Sequence, residues 1–125
     1  MTKLLIVDDE PGLRALIAMT LESEDYEILF AGDGEEAIAL AELHTPKVVI
    51  LDVMMPKMNG FDVCRSLKQN PHLKDTTVVL VTARSQPADR EAGRLAGADA
   101  YLVKPFSPTE LMNKMDDILE GRRSA

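Results

Sequence analysis

Five short apolar runs alternate with five segments of helical periodicity along this 125-residue chain. The runs fall near 3–8, 26–31, 47–52, 77–82 and 99–104. Two of them, Val48-Val49-Ile50-Leu51 and Val78-Val79-Leu80-Val81, are unbroken and mostly β-branched. Such runs suit parallel strands covered on both faces. Crossovers between parallel strands in one sheet are right-handed. The pattern predicts an α/β fold, a (βα)5 doubly wound parallel five-stranded sheet.

The helical segments have readable ends. The first, near 11–24, carries Leu13, Leu16, Ile17, Thr20 and Leu21 on one face and Pro11 in its first turn. The second, near 34–43, presents Ala37, Ile38 and Ala41. The third, near 59–69, presents Phe61, Cys64 and Leu67, and Asn70-Pro71 stops it. The fourth, near 87–96, opens on Pro87 and ends at Gly97. The fifth, near 107–120, opens on Ser107-Pro108 with Glu110 in the capping-box position, buries Leu111, Met115 and Ile118, and ends at Gly121.

Four runs stop on a chemically useful group. Asp8-Asp9 closes the first, Asp52 the third, Thr82 the fourth and Lys104 the fifth. On parallel strands these residues share one sheet edge, where open α/β sheets place their sites. Two ionised carboxylates about 5 Å apart repel by about 3 kcal/mol at an effective dielectric of about 20. A cation relieves that repulsion. Oxygen-only ligands select a hard ion, Mg²⁺ in a cell. Three carboxylates, a hydroxyl and an amine can hold that ion and handle a phosphoryl group.

Bulk properties narrow the partners. The chain is long enough for one domain with a core and too short for two. The net charge of −7 argues against direct nucleic-acid binding. Arg122 and Arg123 are too few to reverse it and read as solvated helix-end charges. No apolar stretch is long enough to span a membrane, and no signal-peptide pattern is present. The lone Cys64 excludes an intramolecular disulfide. These features point to the cytoplasm.

As a set, Asp8-Asp9, Asp52, Thr82 and Lys104-Pro105 resemble the response-regulator receiver domain of two-component signalling in identity, order and spacing. The flanks Leu51-Asp52-Val53-Met54-Met55-Pro56, Met58-Asn59-Gly60, Gly97-Ala98 and Lys104-Pro105-Phe106 agree. The resemblance covers essentially the whole chain. It implies the flavodoxin-like strand order 2-1-3-4-5. It implies that Asp52 is the phosphoacceptor, that Asp8, Asp9, Asp52 and the Met54 carbonyl serve Mg²⁺, and that Thr82 and Lys104 assist the transfer. It also implies a cis peptide before Pro105, and a switch in which Tyr101 rotates inward as Thr82 moves.

The implied donor is a histidine kinase or a histidine phosphotransfer protein. The implied output is a changed face of helix 4, strand 5 and helix 5, which meets a protein partner or a second copy. The chain reads as a receiver over 1–121 with a short tail at 122–125 and no effector domain, either standing alone or cut from a longer protein. Small Ala83 leaves the site open, while Met54 and Arg84 flank the phosphoryl group and bear on its lifetime. Enzyme status is expected to be negative. Aspartyl phosphatases carry a second aspartate two residues after the nucleophile, and this chain has Met54 there. A receiver-like module that works without phosphorylation would not need the intact Asp8-Asp9-Asp52-Thr82-Lys104 set.

Some signals point elsewhere and are set aside. Gly32-Asp33-Gly34-Glu35-Glu36-Ala37 fits a dinucleotide fingerprint. Its three acidic residues would repel a pyrophosphate, so its glycines read as a tight strand-to-helix turn. No nucleotide cofactor is expected there. His44 and His72 lie in loop-like contexts without a metal-spaced partner. Cys64 and the group Met54, Met55 and Met58 read as packing.

Overall fold

The computed structural model describes residues 2–21, 26–55, 58–83 and 86–119. Pro56, Arg84, Gly121, Arg122, Arg123 and the tail at 122–125 lie outside the described residues. Five strands alternate with five helices: β1 (Thr2–Val7), α1 (Pro11–Leu21), β2 (Tyr26–Ala31), α2 (Gly34–His44), β3 (Val48–Asp52), α3 (Gly60–Gln69), β4 (Thr77–Thr82), α4 (Pro87–Leu95), β5 (Ala100–Val103) and α5 (Pro108–Leu119). All neighbouring strands pair in parallel, in the order β2-β1-β3-β4-β5.

Alternation along the strands divides the core into two layers. Leu5, Val7, Val49, Leu51, Val78 and Leu80 point to α2 and α3, where they meet Ala37, Ala41, Val63, Cys64 and Leu67. Leu4, Ile6, Val48, Ile50, Val79 and Val81 point to the other face, against Ile17 and Leu21 of α1 and Leu111 and Met115 of α5. Burying one such side chain contributes about 1.5–3 kcal/mol. The two layers leave both faces of β3 covered, and all five of its residues are buried.

Local chemistry sets the helix ends. Asp33 accepts a hydrogen bond from the Glu36 N–H at 2.9 Å, and the Glu36 carboxylate accepts from the Gly32 N–H at 2.9 Å. The glycine-rich segment is thus a capped helix start, with Asp33 as N-cap and Glu36 reaching back to Gly32 before it. At the start of α5 the bonds are reciprocal: the Glu110 N–H donates to the Ser107 hydroxyl and the Ser107 N–H to the Glu110 carboxylate. Gly97, at φ +93°, supplies the left-handed residue after α4 that glycine adopts at little cost.

Three details depart from the sequence reading. A single 3-10 turn, Pro71–Leu73, follows α3, with Asn70 accepting from the His72 N–H at 2.9 Å. One asparagine therefore ends one helix and caps the next turn, which Asn-Pro alone did not reveal. β1 stops at Val7 and β5 at Val103, so Asp8 and Lys104 are the first residues past their strands. Their N–H groups still donate to Ala31 and Thr82 carbonyls, at 3.1 and 2.8 Å, so the sheet holds their backbones while their side chains leave it.

Candidate functional site

The carboxyl ends of β1, β3, β4 and β5 bring Asp8, Asp9, Asp52, Thr82 and Lys104 to one edge of the sheet. Asp8 and Asp52 are buried, at 2% and 3% exposure, and Thr82 is fully buried. The Asp8 carboxylate accepts from the Glu10 N–H at 2.8 Å. The Asp52 carboxylate accepts from the Met54 N–H at 3.1 Å. Each loop thereby fixes the acid that precedes it.

Lys104 joins the two buried acids. Its Nζ lies 3.5 Å from Asp52 Oδ2 and 3.7 Å from Asp8 Oδ2. The Lys104–Pro105 peptide is cis. Burial pushes the Asp8 carboxyl above the usual range, and the Asp52 charge adds to the rise. Burial also raises Asp52, with Asp9 adding like charge, while the Met54 N–H and Lys104 pull it back. The site is thus acidic beyond what one ammonium neutralises.

Asp8, Asp9 and Glu10 each offer a ligand atom within 4.8 Å of the others. Every donor in that group is a carboxylate oxygen, which suits a hard divalent cation and not a soft one. The residues present therefore fit Mg²⁺. Glu10 was missed from the sequence, although its place beside Asp8-Asp9 was visible. Asp52 stands outside the tight group and communicates with it through Lys104. Met54, two residues after Asp52, is 59% exposed.

Gly60 shapes the loop after Asp52. Its N–H donates to the Val53 carbonyl at 2.8 Å. A Cβ there would stand 2.4 Å from the Asp52 carbonyl oxygen and 2.6 Å from Val53 Cα. Only glycine lets α3 start so close to the end of β3.

Two strand positions separate the site from Tyr101. In the β4–β5 register Thr82 pairs with Val103 and Leu80 with Tyr101. Residues two apart face the same way, so Thr82 and Tyr101 share the face that packs on α2 and α3. Tyr101 is half-buried, with the Arg90 guanidinium 5.2 Å from its ring centroid. Arg84 lies outside the described residues.

The family model for the response regulator receiver domain matches residues 4–116. The chain belongs to the response regulator receiver family. It is 43% identical over 117 residues to "Probable transcriptional regulator ycf27" of Cyanophora paradoxa, covering 94% of this chain and 48% of that protein. It is 40% identical over 122 residues to the alkaline phosphatase synthesis transcriptional regulatory protein PhoP of Bacillus subtilis, covering 98% and 49%. The chemotaxis protein CheY4 of Vibrio cholerae superposes with a TM-score of 0.88 at 35% identity, over 94% of this chain and 98% of that one. This receiver spans about half the length of the curated relatives it matches. Membership makes it the receiver of a two-component response regulator. Receivers generally bind Mg²⁺ at an acidic pocket, in keeping with the carboxylates clustered here. Among the described residues, no helix is long and apolar enough to cross a membrane.

Proposed function

We propose that Asp52 of this receiver accepts a phosphoryl group from a phosphohistidine on a histidine kinase or a histidine phosphotransfer protein. A carboxylate oxygen of Asp52 attacks phosphorus, the P–N bond to the donor histidine breaks, and an aspartyl phosphate forms. The observation that carries this reading is the Lys104 ammonium, 3.5 Å from Asp52 Oδ2. Transfer to a carboxylate depends on positioning and charge neutralisation more than on nucleophile strength. Lys104 neutralises phosphoryl oxygens, and the Thr82 hydroxyl donates to one of them. Asp8, Asp9, Asp52 and the Met54 carbonyl would hold Mg²⁺, with Glu10 beside them. When bound, the ion supplies positive charge against the phosphoryl oxygens.

The phosphoryl group brings roughly −1.5 to −2 of charge and new acceptor oxygens. Thr82 moves toward them, Tyr101 turns inward, and the face of α4, β5 and α5 changes its affinity for a protein partner or a second copy. The chain assists its own phosphorylation and dephosphorylation and is not an enzyme on a separate substrate. Exposed Met54 limits the approach of the hydrolytic water. The receiver itself contacts no nucleic acid, in line with its net charge of −7, and works in the cytoplasm.

The test is intact-mass labelling with acetyl phosphate and Mg²⁺. One phosphoryl group should be added to the wild type and none to Asp52→Asn. Equal labelling of the variant, or labelling without a divalent ion, would contradict the assignment.

A further inference from the structure

At the opposite edge of the sheet from Asp52, the starts of β1, β3 and β4 border a cavity of about 560 Å³. Small-molecule sites commonly enclose about 300–1,000 Å³. Both histidines of the chain line it, His44 at the end of α2 and His72 in the 3-10 turn. Lys3 and Lys47 line it as well, and Asp75 is the one acidic residue in the lining among the described residues. Elements far apart in sequence thus place four basic side chains around one opening in a chain of net charge −7.

The walls of this cavity are built, not loose. The Lys47 N–H donates to the Lys3 carbonyl at 2.9 Å, and the Thr77 N–H donates to the Lys47 carbonyl at 2.9 Å. The Thr76 hydroxyl donates to the Pro46 carbonyl at 2.8 Å. Thr45, also in the lining, ends α2 in a left-handed C-cap at φ 43°, its N–H donating to the Ala41 carbonyl at 2.8 Å. That cap fixes where His44 and Lys47 stand relative to each other.

The chemistry of the lining selects the sign of the ligand. Lysine ammonium groups donate hydrogen bonds and accept none, and imidazole offers an N–H in either protonation state. Two ammonium groups would repel a metal ion. Among the described residues, the carboxylate and imidazole groups that converge closely enough to hold a cation are Asp8, Asp9 and Glu10, not His44, His72 and Asp75. We propose that this cavity binds a polyphosphate anion, either inorganic pyrophosphate or the phosphate chain of a nucleotide. The site is separate from Asp52 and needs no phosphorylation there.

The test is an amide and histidine side-chain NMR titration of the full chain with sodium pyrophosphate, without Mg²⁺, and with ADP in parallel. Saturable shifts are expected at residues 2–3, 44–47 and 72–77. Lys3→Gln and Lys47→Gln should each weaken binding roughly three- to fivefold, the size of an exposed charge contact. Asp75→Asn should tighten it, because it removes the opposing charge. Equal affinity for the two probes would identify the phosphate chain as the whole ligand, and tighter ADP would add a nucleoside contact. Lys47 is exposed, so before titration its variant should differ from the wild-type spectrum only at residues next to position 47, which shows that the fold is kept. Shifts confined to the Asp8–Lys104 site, shifts that never saturate, or weaker binding by Asp75→Asn would each overturn the proposal.

Discussion

The Arg90 guanidinium of α4 lies over the Tyr101 ring of β5, 5.2 Å from its centroid. Gly93 of the same helix also meets the ring, and an added Cβ there would stand 3.1 and 3.2 Å from two ring carbons. Helix α4 therefore holds the aromatic side chain that the proposed switch would move. A cation over an aromatic ring contributes about 0.5–1 kcal/mol at an exposed site. Arg90→Ala should release the ring and shift its rotamer populations by a few-fold, read from aromatic NMR signals of Tyr101. Unchanged Tyr101 signals would show that the contact holds nothing.

Gly60→Ala should destabilise the protein by about 2 kcal/mol or more, the scale of overpacking against an unyielding neighbour. The neighbours here are the Asp52 carbonyl and Val53 Cα, both backbone. Urea unfolding measures the loss. An unchanged midpoint would mean that α3 can retreat without strain.

Much of this arrangement was legible in the sequence. Val48–Leu51 and Val78–Val81 announced buried parallel strands, and Asp8, Asp52, Thr82 and Lys104 marked one edge because each ends a run. The capping box of Ser107 and Glu110 was visible from residue type alone. Three-dimensional proximity was not. Nothing in the sequence placed Arg90 on Tyr101, joined His44 to His72 across one cavity, or brought the Gly60 backbone against Asp52. Nor did it reveal Lys68 of α3, whose ammonium donates to the Thr76 carbonyl at 2.7 Å and pairs with Asp99. Such contacts join residues far apart in the chain, and residue spacing carries no signal for them.

Mg²⁺ should raise the melting temperature, because a ligand that binds only the folded state stabilises it, by about 2.7 kcal/mol at a hundred times its Kd. A chelator should reverse the rise. Asp9→Ala should remove most of the response and should not destabilise the metal-free protein, since one of several close carboxylates is gone. A full Mg²⁺ response in Asp9→Ala would place the ion elsewhere.

Cys64 is fully buried, and its Sγ lies 3.5 Å from the Ala96 carbonyl oxygen. Burial pushes its thiol up to about 11. The folded protein therefore keeps the proton where the unfolded chain loses it. Stability from this group is intact below the ordinary thiol range and falls as pH rises toward about 11. Iodoacetamide should leave Cys64 unmodified at neutral pH until urea unfolds the chain, and Cys64→Ala should flatten the alkaline loss. Rapid alkylation of the folded protein would contradict this burial.

The most direct test of the switch is a backbone amide chemical-shift map with and without beryllofluoride, a phosphoryl mimic. A ligand shifts a two-state equilibrium only through different affinity for the two states. The wild type should show shifts around Asp8, Asp52 and Lys104 and also along α4, β5 and α5, including Tyr101. Thr82→Ala should keep the first group and lose the second. Shifts confined to the loops around Asp8, Asp52 and Lys104 in the wild type would contradict the coupling from Asp52 through Thr82 to Tyr101.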